Sequence, residues 1–464
     1  MRNAESPDDA GIDMGDIHKL PCSVTGTVDG TGGANRYEVS IAYFAADPAG
    51  MTDAWKATNA LTCYTGTGAN GGLRALPHFA IVASEGFDDS ATAQANKADR
   101  TLEATYTFQL TTRKVSGGMI MDANSSFCLV ARSANSGANI WYRPASSTDC
   151  ASQTDLNSWS WRDDYMIHLT STDKDGKIPM CLTGRATGST PIKMTLKACT
   201  TTSTDPDGQR WSWTGDYTWR GQKADNSGYA DTYIVNQDSV VDSGDYLSVA
   251  NTPTNKSLTP LGAVGKGNAS YATHQVVNQN YFGRCLDVTN TRIYYSYMIA
   301  YPCKQDPSGN LAFDWNHKWY YAEPDATVEY VSTQVTVNNG SNYCLITATS
   351  GGLQGAPVYS GYSGYKFPRF VVGNDTSYSA NCGSTSATWK RYGYSVDPKK
   401  AYTIQDKNGL CLSASGPRIT QDGAAGTWTS IIVETCDGSD NQKWNVPDTP
   451  IGASIGDYQE TTGR

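Results

Sequence analysis

The chain has 464 residues, of which 17% are charged, with a formal net charge of −9 and a pI of about 5.1. This length suggests about three domains. The acidic balance argues against nucleic acid or an anionic membrane as a partner, because both require clustered lysine and arginine. The abundance of Tyr (28), Trp (12) and Gly (45) is typical of a β-rich, loop-rich secreted protein.

The twelve cysteines are even in number, widely spaced and free of any C-x-x-C pair. This pattern favours disulfides in an oxidising compartment over structural zinc, and no metal or cofactor site is expected. No run of 18 apolar residues predicts a membrane span. The first residues lack the apolar segment of a signal peptide, so we expect a processed chain or a start further upstream rather than a cytosolic protein.

The N-terminal region predicts a disordered segment, residues 1–17, and then a β-sandwich domain, residues 18–117. Large apolar residues alternate with small or polar ones in 37–43, 77–83 and 104–110, the period of a half-buried strand. Met51–Ala60 predicts one or two helical turns. Cys22 and Cys63 are the cysteines of this region and are expected to pair. No catalytic group is visible here, and a spacer or anchoring role is the simplest interpretation.

Six repeats follow from residue 118. Five of them contain a Cys-Leu pair, a second cysteine and a tryptophan, and local pairing within each repeat is the simplest connectivity, although spacing alone does not prove it. The third repeat is degenerate, with Leu247 and Val249 in the Cys-Leu place. The cysteines and tryptophans of the five complete repeats are Cys128, Cys150 and Trp159; Cys181, Cys199 and Trp211; Cys285, Cys303 and Trp319; Cys344, Cys382 and Trp389; and Cys411, Cys436 and Trp444.

This frame resembles the ricin-B-type lectin family, whose fold is a β-trefoil built from three such units. The family's Gln-x-Trp motif occurs in full at 209–211 and 442–444, and it is altered to His-Lys-Trp at 317–319. The resemblance covers about residues 118–448 and implies a first β-trefoil at 118–278 and a second at 279–448. Together with the N-terminal β-sandwich and a polar C-terminal tail at 449–464, it gives an expected all-β chain. It also implies that the repeat tryptophans are core residues.

The resemblance places a sugar site in the fourth repeat. Family members bind sugar with an Asp after the Cys-Leu, an aromatic before the second cysteine and an Asn before the Gln-x-Trp. A carboxylate accepts hydrogen bonds from neighbouring hydroxyls, and an aromatic ring covers the apolar face of a hexose. His317 replaces the usual glutamine and weakens the support behind the Asn. The matching residues, with a lysine that fits a further ligand position, are Asp287, Tyr301, Lys304 and Asn316.

The other repeats lack the full set of these groups, although Asn441 remains in the sixth, so one repeat of six is expected to bind. The family's common ligands are galactose-type sugars, and a shallow, wet groove predicts weak binding. The alternative for Asp287 is a turn-capping aspartate. The residues that replace the Asp and the aromatic are Val130 and Thr148 in the first repeat, Thr183 and Lys197 in the second, and Ser413 and Glu434 in the sixth.

These observations favour a secreted or cell-surface carbohydrate-binding protein without catalytic activity. The alternative is a structural surface or appendage protein that reuses the fold for assembly, through the tyrosine-rich stretches Tyr294–Tyr297 and Gly351–Tyr365. An enzyme is disfavoured because a glycosidase requires two carboxylates in a cleft, and no region remains for a catalytic domain.

Overall fold

The protein is all-β, as expected, with one short α-helix among the described residues. No described helix is long and apolar enough to span a membrane. The chain divides into two compact units, Met1–Arg113 with Pro447–Arg464, and Lys114–Val446. The computed structural model describes residues 20–27, 35–66, 71–73, 77, 79–88, 98–107, 117–173, 177–215, 218–238, 241–254, 258–295, 297–325, 328–347, 364–372, 382–393, 395, 397, 399–420, 427–446 and 455–461.

The described elements of the first unit are β1 (Ser23–Thr27), β2 (Asn35–Phe44), α1 (Asp53–Asn59), β3 (Ala60–Leu61), β4 (Tyr64–Thr65), β5 (Gly71–Gly72), β6 (Phe79–Asp88), β7 (Ala98–Thr107) and β33 (Ile455–Thr461). Six of the strands form one antiparallel sheet in the order β1-β2-β6-β7-β33, with β3 also paired to β2, and β4 and β5 form a separate pair. Thr52 caps the helix, because its hydroxyl accepts a hydrogen bond from Trp55 N at 3.2 Å.

One expectation for this unit needs correction, and another stays a prediction. The described residues form the six-stranded sheet, the β4-β5 pair and a small core, and the β-sandwich remains a prediction. The expected polar tail contains β33, which pairs antiparallel with β7. Its pairing uses backbone groups, so a polar sequence gave no sign of it. The predicted disordered segment at 1–17 lies outside the described residues.

The second unit contains the repeats, built from short strands and single turns of 3-10 helix. The strands are β8 (Ile120–Asp122), β9 (Phe127–Ala131), β10 (Ile140–Pro144), β11 (Trp159–Trp161), β12 (Ile167–Leu169), β13 (Met180–Thr183), β14 (Ile192–Lys193), β15 (Thr195–Ala198), β16 (Trp211–Gly215), β17 (Thr218–Gln222), β18 (Tyr229–Asn236), β19 (Leu247–Ala250), β20 (Leu258–Pro260), β21 (Arg284–Asp287), β22 (Ile299–Pro302), β23 (Tyr330–Thr333), β24 (Thr336–Asn338), β25 (Asn342–Ile346), β26 (Arg369–Val372), β27 (Trp389–Tyr392), β28 (Ile404–Gln405), β29 (Leu410–Ser413), β30 (Arg418–Thr420), β31 (Thr427–Thr429) and β32 (Ile432–Thr435). The 3-10 turns are Thr170–Thr172, Gly262–Val264, Tyr271–Thr273, Thr289–Thr291, Trp315–His317, Thr385–Ala387 and Asp440–Gln442.

Two separate hydrophobic cores divide this unit into a first lobe, residues 117–264, and a second lobe, residues 276–446. The degenerate third repeat contributes Leu247 and Val249, both fully buried, to the first core. Burying each core tryptophan contributes roughly 2–3 kcal/mol. The repeat tryptophans are all 0% exposed, as the resemblance implies: Trp159, Trp211, Trp319, Trp389 and Trp444.

Each of these five tryptophans makes the same hydrogen bond. Its indole N–H donates to the backbone carbonyl of the leucine in its own Cys-Leu pair, at 2.8–3.1 Å. The bond removes the cost of burying an indole N–H without a partner. The second lobe contains this hydrogen bond three times. The first lobe contains it twice and also contains the degenerate repeat. This recurrence in threes is what the β-trefoil expectation predicts.

Six disulfides join the pairs that local connectivity predicts. Five of them close the repeats, and the sixth lies in the first unit. The pairs are Cys22–Cys63, Cys128–Cys150, Cys181–Cys199, Cys285–Cys303, Cys344–Cys382 and Cys411–Cys436.

The change from the first to the second lobe comes a few residues before the predicted boundary at 278/279. Val276 belongs to the second core, and Val277 N donates to Asn445 Oδ1 at 2.7 Å. The lobes meet where Gly283 N donates to Gly262 O at 2.6 Å. A Cβ at Gly283 would lie 2.5 Å from Gly265 O and 2.9 Å from Gly262 O, so this close approach requires glycine.

A buried ionic cluster surrounds His168 in the first lobe. His168 Nδ1 lies 3.0 Å from Asp173 Oδ1, and Nε2 lies 3.1 Å from Asp164 Oδ2. Arg162 Nη2 is 2.7 Å from Asp173 Oδ2, an ionic contact without hydrogen-bond alignment. Burial lowers the pKa of His168, but hydrogen bonds to Asp164 and Asp173 and their negative charges outweigh burial, so the pKa is raised above 6.5.

We therefore expect the stability of the first lobe to fall as the pH rises through this folded-state pKa. Because the pKa is higher in the folded chain than in the unfolded chain, the charged imidazole stabilises the fold fully below pH 6.5 and loses that effect above it. Denaturant midpoints of the wild type should decline as the pH is raised from 6.5 through the folded-state pKa of His168. The midpoints of His168→Gln should vary less over the same pH range. Parallel pH profiles of the two proteins would contradict the prediction.

Candidate functional site

The hairpin β21–β22 places the predicted aspartate and tyrosine on the same side. Cys285 is paired with Tyr301 across the hairpin, and Asp287 is paired with Ile299. Side chains of directly paired residues share a face, and alternate residues of a strand return to that face. Asp287 and Tyr301 therefore project from one face, as a sugar site in this hairpin requires.

The carboxylate of Asp287 is held by the 3-10 turn that precedes Trp319. Asn316 Nδ2 donates to Asp287 Oδ2 at 2.9 Å and to Val288 O at 3.3 Å. No described residue donates to Asp287 Oδ1. Asn316 Oδ1 is buried without a hydrogen-bond partner among the described residues. Both Oδ1 atoms are thus acceptors without a hydrogen-bond donor in the part of the chain that the structure describes.

His317 occupies the place of the family's glutamine and contacts the same carboxylate. Its Nδ1 lies 2.9 Å from Asp287 Oδ2, but the approach is poorly aligned, and Nδ1 has no hydrogen bond of good geometry. The contact is an ion pair only when the imidazole is protonated. Burial lowers the pKa of His317, and this outweighs the opposing effect of Asp287, so the imidazole is neutral at neutral pH.

The role of the missing glutamine is taken by a residue that the sequence analysis did not identify. In the second repeat, Gln209 Oε1 accepts from Thr200 N and Gln209 Nε2 donates to Ala198 O, which anchors the chain around its second cysteine. In the fourth repeat, Gln275 Oε1 accepts from Lys304 N at 2.7 Å, and Gln275 Nε2 donates to Lys304 O at 2.9 Å. Gln275 comes from an earlier segment, so the motif spacing gave no signal for it.

The ring of Tyr301 is half-buried, and its described neighbours include a lysine and two rings. Lys304 Nζ lies 4.8 Å from the ring centroid, a cation–π contact. The ring of Trp428 packs edge-on with a centroid distance of 4.8 Å, and the His317 ring is 6.0 Å away. Trp428 belongs to the hairpin β30–β31, which the sequence analysis did not connect with the site.

The sequence predicts a shallow groove, but the candidate residues are less exposed than residues that line such a groove. Trp428 and Ile419 of β30–β31 pack with Ile299 and Tyr297 in a small apolar cluster over this side of β21–β22. The groove is therefore covered where the family resemblance implies an open surface. The exposed fractions are 3% for Asp287, 7% for Lys304, 6% for Asn316 and 4% for His317.

The equivalent positions of other repeats serve structural contacts. Thr183 accepts a hydrogen bond from Gln209 at 2.9 Å, and Ser413 donates to Ser415 at 2.8 Å. Lys197 forms an exposed ion pair with Asp207 at 2.9 Å. These contacts use the groups that the sequence analysis judged unsuited to sugar.

In the part of the chain that the structure describes, one cluster has metal-ligand residue types, His168 with Cys181 and Cys199. The two sulfurs are joined to each other in a disulfide, so neither is available as a thiolate ligand. The geometry of the cluster is explained by the disulfide and by the ionic contacts of His168.

No protein-family model and no curated protein matches the chain. Similar solved structures include an agglutinin from Abrus precatorius, at 13% identity over 70% of this chain and 94% of that chain, with a TM-score of 0.21. The hemolytic lectin CEL-III is 15% identical over 73% and 65%, with a TM-score of 0.21, and a mosquitocidal holotoxin is 11% identical over 93% and 44%, with a TM-score of 0.22. The chain thus spans less than two thirds of the hemolytic lectin and under half of the holotoxin. At these TM-scores no property is transferred, and the all-β assignment rests on the strands themselves.

Proposed function

We propose that this chain is a non-catalytic carbohydrate-binding protein, secreted or displayed at a cell surface, with its principal sugar site in the fourth repeat. The observation that carries the proposal is the convergence of Asp287, Tyr301 and Asn316 on one hairpin face, with Asn316 hydrogen-bonded to Asp287. The resemblance of the repeats to ricin-B-type lectins supports the same function. Six disulfides support an oxidising compartment.

The chemistry of the group suits a hydroxyl-rich ligand. Asp287 Oδ1 and Asn316 Oδ1 accept hydrogen bonds from neighbouring sugar hydroxyls, and the acceptor on Asp287 is the stronger because it is charged. The Tyr301 ring covers the apolar face of a galactose-type hexose. Trp428 packs edge-on against Tyr301, so the sugar must displace the indole, and the cost of this displacement lowers the affinity.

A sugar titration of the wild type and two matched variants tests the proposal. We expect wild-type dissociation constants of about 0.1–1 mM for galactose-type sugars. Asp287→Asn keeps the shape and an acceptor for Asn316 but removes the charge, and should weaken binding by about tenfold or more. Ser413→Ala is the control, because Ser413 occupies the same place in the sixth repeat and is equally buried.

Each outcome is decisive when thermal unfolding shows that the variants are folded. Equal binding by the wild type and Asp287→Asn rejects this site. A loss of binding in Ser413→Ala of the same size attributes the effect to general destabilisation. Absence of binding by the wild type across a glycan array rejects the carbohydrate function.

A structural protein that assembles through its surface is the second candidate. The burial of Asp287 and Asn316 favours it, together with Tyr294, whose side chain is 68% exposed. Of the predicted tyrosine stretch, Tyr297 is instead buried in the apolar cluster, and most of the predicted loop at 351–365 lies outside the described residues. Sedimentation across a range of concentrations tests this candidate with Tyr294→Ser as the variant. A wild type that remains monomeric at every concentration contradicts it.

A further inference from the structure

A cleft of about 450 Å³ lies between the two lobes of the second unit. Its volume is within the roughly 300–1,000 Å³ of small-ligand pockets. The first lobe contributes hydroxyl and amide groups, and the second lobe contributes two arginines and an indole. The residues used below are Asn124, Thr259, Arg284, Arg418 and Trp428.

Arg284 brings a buried positive charge to this cleft. It is 8% exposed, and it donates two of its N–H groups to the backbone carbonyls of Pro260 at 2.6 Å and Gly283 at 3.3 Å. It forms no ion pair with any described residue. Burial, and to a smaller extent the nearby charge of Arg418, lowers the pKa of Arg284 to about 10, so the guanidinium stays charged at neutral pH. A buried cation without an anion is costly, and an anionic ligand removes that cost.

The same cleft contains polar atoms that lack partners. Trp428 Nε1 and Thr259 Oγ1 are buried, and neither has a hydrogen-bond partner among the described residues. Buried polar groups in folded proteins are nearly always paired, and these two atoms can pair with the oxygen atoms of a ligand in the cleft. The guanidinium of Arg284 also lies 5.5 Å from the Trp428 ring centroid, which holds both side chains at the cleft wall.

We propose that this cleft binds an acidic saccharide through Arg284, Arg418 and Trp428. The carboxylate pairs with the guanidinium of Arg284, whose planar fork matches its two oxygens, and Arg418 at the exposed rim adds a second positive charge. Ring hydroxyls accept from Trp428 Nε1 and pair with Thr259 Oγ1, and the amide of Asn124 lies on the same wall. The site shares Trp428 with the group around Asp287, but its two arginines are not part of that group, so variants at Arg284 and Arg418 test it separately.

Calorimetric titration with three probes tests the inference: D-glucuronate, D-glucose and inorganic sulfate. Glucuronate and glucose differ only at the sixth carbon, so their comparison isolates the carboxylate. We expect glucuronate to bind at least about tenfold more tightly than glucose or sulfate. Arg284→Gln and Arg418→Gln should each remove this preference. Arg132→Gln is the matched control, because Arg132 lies 5.1 Å from the ring of Trp141 but is exposed and outside the cleft.

Three results would overturn the inference. Equal binding of glucuronate and glucose would show that the carboxylate is not recognised. Sulfate binding as tight as glucuronate binding would show a simple anion site without saccharide recognition. An unchanged preference in Arg418→Gln would exclude the cleft, and this variant decides the outcome if Arg284→Gln fails to fold, because Arg418 is exposed.

Discussion

Replacing Trp319 with alanine is expected to lower the free energy of unfolding of the second lobe by about 3–5 kcal/mol. Trp319 is 0% exposed, stacks on Phe370 with a centroid distance of 5.9 Å, and donates its indole N–H to Leu286 O at 2.8 Å. The substitution leaves a cavity and an unpaired buried carbonyl. Trp319→Phe keeps most of the ring and loses the hydrogen bond, so it should cost less, about 1–3 kcal/mol.

Denaturant unfolding combined with hydrogen exchange measures this effect, because the two lobes have separate cores and exchange resolves them. Protection should fall in the second lobe and stay unchanged in the first. Ile178→Ala is the control, since Ile178 is 66% exposed and should change stability by less than about 0.5 kcal/mol. A Trp319→Ala midpoint equal to that of the control would show that the repeat tryptophan does not support the core.

Removing the Cys285–Cys303 disulfide is expected to destabilise the second lobe by about 3 kcal/mol in the chain-entropy model. The bond joins residues 18 apart, and both cysteines are 0% exposed. Cys285 is also paired across the hairpin with Tyr301, so its loss should loosen the strand pair that carries the candidate site. We therefore expect the double alanine variant to show weaker sugar binding as well as a lower denaturant midpoint.

The Cys344–Cys382 disulfide provides a matched control within the same lobe. It joins residues 38 apart in the fifth repeat, and its removal should cost about 4 kcal/mol by the same relation. This second double variant should be less stable than the wild type. Under conditions in which it is folded, its sugar affinity should equal that of the wild type. If both variants lose affinity equally, the effect is general and the link between the first disulfide and the site is wrong.

Much of the second unit could be predicted because its signals are local. The two cysteines of each repeat lie close in sequence, so the nearest pairing was also the pairing in the structure. Hairpin geometry predicted that Asp287 and Tyr301 lie on one face. The family resemblance predicted that Asn316 lies beside Asp287. The short helix at Asp53–Asn59 also lies within the stretch expected to be helical.

The residues that cover the candidate site and anchor the chain beside it come from distant parts of the sequence. Trp428 covers Tyr301 from a hairpin in the sixth repeat, and Gln275 replaces the motif glutamine from before the repeat begins. Neither residue has a fixed spacing from the motif, and both act only once the chain has folded. The degree of exposure of Asp287 therefore had no sequence signal.

What the sequence by itself determined is the covalent and apolar frame: the six disulfide pairs, the buried repeat tryptophans and the residues gathered in the fourth repeat. The tertiary structure alone decided that β33 joins the N-terminal sheet, that the predicted groove is covered, and that a cleft with Arg284 lies between the lobes. The physical reason is the range of the interactions. Spacing and periodicity encode contacts within one repeat, whereas pairing at a sheet edge and packing between lobes depend on surfaces that exist only after folding.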